Sequence, residues 1–178
     1  AIRSGLRHEV PAYTVNQACG SGLRAIMNAA DQIRLGQANV VLAGGTESMS
    51  NTPYLLTRAR WGMRMGNTEL VDGMYRDGFL DPLSGLVMGE TAENLARKYE
   101  ISRAEQDEFA LQSQLKAEAA MKAGKFKDEI IPIEIPSKKG STFFDTDEYP
   151  KHGATLEGLA SLRPAFNKEG SDRKSTRL

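Results

Sequence analysis

The sequence predicts an α/β fold that begins with a βαβ unit and continues into an α+β segment. Two short apolar runs, residues 12–15 and 40–43, are typical of strands, and the second fits a central strand of a covered parallel sheet. Between them apolar side chains recur at helical spacing over residues 23–33, and Gly36 is well placed to end that helix. A strand, a helix and a second strand so close together define a βαβ unit.

The second part of the chain has a different pattern. Hydrophobic periodicity is lost over residues 51–86, which is too long for an ordinary connection and predicts a functional loop, an interface or an inserted domain. Helical pattern returns at residues 90–98. Ser102 and Glu105 then form a capping box for a helix that should end at Gly124. Weaker signals follow the helix: an edge strand at 130–135, a second strand at 143–144, and a short helix capped by Thr155.

Composition excludes several classes of function. The chain has 23 basic and 23 acidic residues, so it lacks the basic excess of a nucleic-acid-binding surface. No apolar run approaches the ~20 residues that span a bilayer, which argues against a membrane partner. The start of the chain has neither an initiator Met nor a signal-peptide pattern, which favours a cytoplasmic protein and a chain that is a piece of a longer one. A single cysteine excludes an internal disulfide and a multi-cysteine metal site.

The single cysteine, Cys19, lies between the first predicted strand and the first turn of the predicted helix. Unpaired N–H groups at a helix start favour an anion, so a reactive thiolate is favoured there. Gly20 and Gly22 lack side chains and would let an acyl group approach the backbone. The Cys19 N–H group could donate to an oxyanion, as in the nucleophile elbow of hydrolases. The alternative is a small, buried, unreactive cysteine, which is the common role of a free thiol.

Four segments, in order, resemble motifs of the thiolase family, the acetyl-CoA acyltransferases. They are VNQACGSGLRA at 15–25, AGGTESMS at 43–50, MGETAEN at 88–94, and HGATL at 152–156 with LRPAF at 162–166. Their order and spacing are also similar to those of the family. The resemblance extends from residue 1 to about Gly170.

The resemblance implies a fold, a reaction and a domain division. Residues 1–50 would belong to the thiolase N-terminal domain that carries the nucleophile, and residues 51–170 to the family's loop domain, which binds CoA. In this family the cysteine that matches Cys19 attacks an acyl-CoA thioester, and the acyl-enzyme then forms or cleaves a 3-oxoacyl-CoA. CoA thioesters would be the substrates, and no further cofactor is implied.

The resemblance also implies substrate-binding residues. Lys151 stands where the family commonly has an arginine near the nucleotide end of CoA, and it keeps the charge without the planar fork. Phe79 and Met88 match positions at the acyl pocket, where Val87 replaces a histidine common in acetoacetyl-forming members and leaves room for a longer acyl chain. The positions that match the pantetheine channel are Gly158, Leu159, Ala165 and Phe166. The alternatives are a solvated charge for Lys151 and core packing for Phe166 and Met88.

Other residues receive expectations of a different kind. The loop 54–66, with Trp61, resembles the segment through which many thiolases form tetramers, which implies a homotetramer or homodimer; the alternative is packing within the loop domain. We expect Glu47 to bond nearby backbone rather than to act as a base. His8 and His152 have no acidic partners at motif spacing and are assigned no chemistry.

The family also needs an activating histidine and a second cysteine, and neither of their motifs occurs in this sequence. The chain is therefore expected to be an internal fragment that is inactive alone, and residues 171–178 are expected to be a non-native tail, similar to translated adapter DNA. Two other readings remain open: another thiolase-fold condensing enzyme, and a non-catalytic CoA-binding or lipid-binding relative in which Cys19 is structural.

Overall fold

The computed structural model describes residues 1–171, so the expected tail lies outside the described residues from residue 172 onward. The chain divides into two compact units, one from Ala1 to Phe79 and one from Leu80 onward. Each unit contains helices and a two-stranded antiparallel sheet. The domain division expected at residues 50 and 51 follows the family resemblance and stays a prediction.

The first unit is built around the helix α1, Ser21–Arg34. The helix ends as the sequence predicts: Gly36 has a φ of 67°, in the left-handed region that glycine tolerates without strain. Its apolar stripe is largely exposed, since Leu23 keeps 66% of its surface and Ile26 keeps 56%. Ala29 is the buried hydrophobic side chain of this helix. The helix was thus predicted correctly, and its apolar face is uncovered in this chain.

The two strands predicted beside α1 do not form. Residues 12–15 and 40–43 have no strand pairing, and Val40 and Leu42 are 88% and 81% exposed. The βαβ expectation is therefore wrong as a hydrogen-bonded unit. A parallel strand exists only when a neighbouring strand satisfies its backbone groups, and the described residues supply no such neighbour for either run.

The segment that follows is an irregular stretch held by short elements. Strand β1, Tyr54–Leu55, pairs antiparallel with β2, Val71–Asp72. Gly73 follows this strand pair at a position with no room for a side chain, because a Cβ atom there would lie 2.6 Å from the carbonyl oxygen of Pro53. A π-helical turn, Tyr75–Phe79, ends the unit.

The second unit contains the predicted helices. Helix α2 spans Met88–Lys98 and α3 spans Arg103–Lys122. The capping box at the start of α3 is confirmed: the Ser102 hydroxyl accepts from the Glu105 N–H, and the Glu105 carboxylate accepts from the Ser102 N–H at 2.7 Å. Gly124, with a φ of 67°, follows the end of α3 as predicted.

The rest of the second unit consists of a hairpin and a short helix. Strand β3, Ile133–Ile135, pairs antiparallel with β4, Thr142–Phe144, with Ile133 opposite Phe144. Both strands are exposed, which agrees with the predicted edge position although β3 is shorter than predicted. Helix α4, Leu156–Ala160, packs on α3 and is capped by the Thr155 hydroxyl as predicted. Among the described residues, no helix is long and apolar enough to cross a membrane.

Candidate active site and CoA-binding segment

A network of local hydrogen bonds shapes the turn that carries Cys19. The Ser21 hydroxyl donates to the carbonyl oxygen of Ala18 at 2.7 Å and accepts from the Gln17 N–H at 2.8 Å. The Asn16 side-chain oxygen accepts from the Ala18 N–H at 3.0 Å. The turn is thus closed by polar side chains on both sides of Cys19, so its shape does not depend on a strand.

The backbone of this turn is strained immediately before the cysteine. Ala18 has a φ of 47°, which is uncommon for a residue with a Cβ atom. Such strain costs about 1–3 kcal/mol and clusters at functional sites, including nucleophile turns. The geometry agrees with the sharp turn expected from the comparison with hydrolases.

Several N–H groups near Cys19 are available to an anion. Gly20 and Ser21 donate their N–H groups to the carbonyl oxygens of Gln17 and Ala18. Within residues 1–171, the N–H groups of Cys19 and of the first-turn residues Gly22 and Leu23 have no protein acceptor. Donors of this kind stabilise a thiolate and an oxyanion that develops beside it.

The two glycines after Cys19 have different roles. A Cβ atom on Gly20 would lie 3.3 Å from the carbonyl oxygen of Gln17, so a glycine at this position allows the turn to be tight. A Cβ atom on Gly22 would meet nothing within 4 Å, so Gly22 leaves open space next to the helix start. The Gly44-Gly45 turn passes close to it, since a Cβ atom on Gly45 would lie 4.0 Å from the Gly22 Cα atom.

Cys19 is exposed, as are Leu23 and Ile26 on the helix that follows it, so the choice between a nucleophile and a small packed cysteine stays a prediction. Glu47 behaves as expected, because its carboxylate accepts the N–H of the adjacent Ser48 at 3.1 Å. Phe79, also in the first unit, is about half-exposed at the end of its π-helical turn. Its assignment to the acyl pocket stays a prediction.

In the second unit, three of the predicted CoA-binding residues lie against one helix. The Lys151 N–H donates to the Gln114 side-chain oxygen on α3 at 2.7 Å, and Lys151 is an exposed residue. Gly158 and Leu159 lie on α4, which packs on α3; Gly158 is exposed and Leu159 is buried. The structure thus brings Lys151 and α4 to the same face of α3.

The remaining predicted binding residues are at the surface of the second unit. Phe166 is 40% exposed and lines a cleft formed by α2 and residues 166–169, and Ala165 beside it is exposed. Met88, at the start of α2, is 40% exposed as well. Their roles toward an acyl-CoA stay predictions. Among the described residues, no group of His, Cys, Asp or Glu side chains could hold a metal ion.

The sequence analysis missed a set of polar residues on α3. Arg103, Asp107, Gln114 and Glu118 lie on one face of this helix. Arg103, Gln114 and Glu118 contact the segment 151–162, and Asp107 bonds Arg103. His152 belongs to the same group, since its Nδ1 atom lies 3.8 Å from the Glu118 carboxylate. Helical spacing could have indicated a shared face, but the partners are main-chain groups that no pattern of side chains reveals.

The carboxylate of Glu118 makes this segment sensitive to acid. Its hydrogen bond from Lys122, reinforced by the N–H of Gly153, holds the pKa of Glu118 below its usual 4.5. A carboxyl whose pKa is lowered on folding stabilises the folded state above its unfolded pKa, and this stabilisation is lost as pH falls through the folded pKa. In the complete gene product, we expect the hydrogen-exchange protection of residues 150–156 to decrease when the pH is lowered below about 4.5. Protection is measured here relative to the intrinsic exchange rate at each pH.

A matched pair of variants tests this assignment. Glu118→Gln should lower the protection of residues 150–156 at neutral pH and remove its acid dependence. Glu108→Gln removes an exposed carboxylate from the same helix and should leave both unchanged. Equal acid loss in Glu118→Gln and in the unmodified protein would refute the role of Glu118.

Comparison with known proteins shows the family. The sequence model of one protein family, the thiolase N-terminal domain, matches residues 1–173 of this chain. An acetyl-CoA acetyltransferase of Paracoccus denitrificans is 55% identical over 96% of this chain and 43% of its own length. A β-ketothiolase of Cupriavidus necator is 52% identical over 95% of this chain and 43% of its own length.

Solved structures agree with the sequence comparison. The acetyl-CoA acetyltransferase of Bacillus anthracis matches with a TM-score of 0.89 and 46% identity over 96% of this chain. That of Syntrophomonas wolfei matches with a TM-score of 0.91 and 45% identity over the same share. This chain covers 43% of each of the two solved chains.

The mixed helix-and-sheet fold of this chain is thus shared with solved structures of acetyl-CoA acetyltransferases. The chain belongs to the thiolase family, and the match is to its N-terminal domain. The chain spans less than half the length of the curated relatives it matches.

Proposed function

We propose that this chain is the nucleophile-bearing part of an acyl-CoA:acetyl-CoA C-acyltransferase. The observation that carries the proposal is the exposed thiol of Cys19 on a strained turn, beside N–H groups that have no acceptor among the described residues. The names of two relatives, acetyl-CoA acetyltransferase and β-ketothiolase, support the same reaction. An exposed, positioned thiol favours this reading over a non-catalytic relative.

The proposed reaction proceeds through a covalent acyl-enzyme. The Cys19 thiolate attacks the thioester carbonyl of an acyl-CoA, a new thioester forms on Cys19, and CoA leaves as a thiolate that takes a proton. The α-carbon of an acetyl-CoA, after loss of a proton, then attacks the acyl group, releases the Cys19 thiolate and yields a 3-oxoacyl-CoA. Thiolytic cleavage is the reverse, with CoA as the second substrate. The first step exchanges one thioester for another, and the second breaks the Cys19 thioester as the carbon–carbon bond forms. Neither step has a net change of oxidation state, so no oxidant or further cofactor is required.

The N–H groups at the helix start have a defined role in these steps. Negative charge moves onto the carbonyl oxygen as sulfur or carbon attacks, and fixed backbone donors stabilise it without reorganising. The Cys19 N–H is the donor that lies on the nucleophile itself. Gly22 leaves room for the acyl group at the same place.

The binding residues are proposed from the second unit. Lys151 would attract the phosphates of CoA, and Gly158, Leu159, Ala165 and Phe166 would line the path of the pantetheine arm. Phe79 and Met88 would contact the acyl group. Because Val87 is apolar, an acyl chain longer than acetyl is accommodated in this proposal.

We also propose a homo-oligomer in the cytoplasm. Trp61 is 84% exposed, and Met63 and Met65, two and four residues later, are also exposed, so this loop offers three large apolar side chains to a partner. Sedimentation of the complete gene product should give a dimer or tetramer, and Trp61→Ser should shift it toward a smaller species. A monomer in both cases would overturn the assembly proposal.

The direct test of the function is an assay of the complete gene product that carries this sequence. With CoA present, it should cleave acetoacetyl-CoA and 3-oxohexanoyl-CoA, detected by loss of the 3-oxoacyl absorbance. With acetyl-CoA alone, it should form the 3-oxoacyl product and free CoA. A purified, folded product that catalyses neither direction would refute the proposal.

A further inference from the structure

Helix α3 holds the segment 151–162 by its main chain. Two of its side chains accept backbone N–H groups: Gln114 from Lys151 at 2.7 Å and Glu118 from Gly153 at 3.2 Å. A third, Arg103, donates to backbone carbonyl oxygens at the end of α4. Contacts to the main chain fix the position of a segment whatever side chains it carries.

Arg103 makes the most specific of these contacts. One of its terminal nitrogens, Nη2, donates to the carbonyl oxygen of Leu159 at 3.0 Å and to that of Leu162 at 3.4 Å. A cation at a helix C-terminus also complements the negative end of the helix dipole. Arg103 therefore joins the first turn of α3 to the last turn of α4, across 56 residues of sequence.

Asp107 fixes the guanidinium in this position. Its two carboxylate oxygens accept from the Arg103 Nε atom at 2.8 Å each, and its side chain is 4% exposed. Removing either partner of a buried pair leaves a charge without compensation, so the two residues act as one unit. Arg103 itself keeps 24% of its side-chain surface and is held rather than free to move.

We propose that Arg103, oriented by Asp107, is a positioning residue that sets α4 for binding of the CoA substrate. The proposal rests on the proposed function, because it concerns the segment with Gly158 and Leu159. Arg103 bonds the carbonyl oxygen of Leu159 itself, so a shift of the guanidinium moves one of these residues directly. In this proposal Arg103 acts through the backbone of α4 rather than by contact with the substrate.

The test is a kinetic comparison in the complete gene product. Arg103→Gln removes the positive charge and cannot bond Asp107 and the α4 carbonyl oxygens together. We expect the KM for CoA in thiolysis to rise about tenfold while kcat changes little. This pattern is expected when substrate binding is weakened without loss of transition-state stabilisation. Arg103→Lys keeps the charge but cannot bond Asp107 and both carbonyl oxygens, so it should give an intermediate KM. Acylation of Cys19 at saturating acyl-CoA should persist in both variants.

Two controls separate positioning from stability. Ala110→Gly weakens the buried middle of α3, by about 1 kcal/mol for such a change, without touching the polar contacts. Lys116→Gln removes an exposed charge from the same helix and should leave the KM for CoA unchanged. If Ala110→Gly raises this KM as much as Arg103→Gln at a similar loss of Tm, the role of Arg103 is only structural and the proposal is overturned.

An unchanged KM in Arg103→Gln would also overturn it. Failure of the proposed function is recognised separately, because the unmodified gene product would then show neither thiolysis nor an acylated Cys19.

Discussion

Replacing Cys19 by alanine is expected to lower kcat of the complete gene product by at least about 10³-fold, because loss of a covalent nucleophile removes the acyl-enzyme route altogether. The thiol is exposed and closes no contact in the turn, so the Tm should change little. The turn itself is held by Ser21 and Asn16, which the substitution leaves in place. Steady-state thiolysis and thermal unfolding of the same preparation provide both quantities.

A serine at the same position supplies the matched control. Cys19→Ser keeps the size and the local hydrogen bonds but replaces the thiolate with a hydroxyl, which is far less nucleophilic without a base. It should therefore be nearly as inactive as Cys19→Ala. An alanine variant that keeps more than a tenth of the activity would exclude Cys19 as the nucleophile.

The second large effect concerns the 178-residue chain by itself. Its apolar side chains are extensively exposed on the stripe of α1 and on the two unpaired runs beside it. Exposed patches of this kind and unpaired extended segments promote association. We expect the isolated chain to aggregate, to bind the dye ANS strongly, and to show no thiolysis.

Substitutions on the exposed face test the cause. Leu23→Glu with Val40→Lys should raise the soluble fraction of the isolated chain, since both side chains are largely exposed in it. The same pair should lower the yield of the complete gene product, where we expect further chain to cover this face. A monodisperse isolated chain with steady-state activity would contradict the expectation.

The difference between what the sequence could and could not predict follows from the range of the interactions. Helices α1 and α3 begin and end where local signals place them: Gly36 and Gly124 adopt left-handed angles, and Ser102 forms its capping box. These features depend on residues only a few positions apart. The turn that carries Cys19 is similar, since Asn16 and Ser21 shape it within six residues of sequence.

The features that the sequence did not predict correctly depend on contacts between residues far apart in the chain. Residues 12–15 and 40–43 have the composition of strands, but a strand needs partners, and none of the described residues pairs with them. The contact of Arg103 with the end of α4 joins residues far apart and uses main-chain acceptors, which leave no mark in a sequence. Sequence motifs could thus suggest candidate CoA-binding residues, but not what holds those residues in place.

The central claim is that Cys19 carries an acyl group during turnover. The most direct measurement is to mix the complete gene product with ¹⁴C-acetyl-CoA, quench in acid within the first turnovers, and digest it for peptide mapping. The account predicts close to one label per subunit on the peptide that contains Cys19, and none in Cys19→Ala. An active enzyme with no label on that peptide would contradict it.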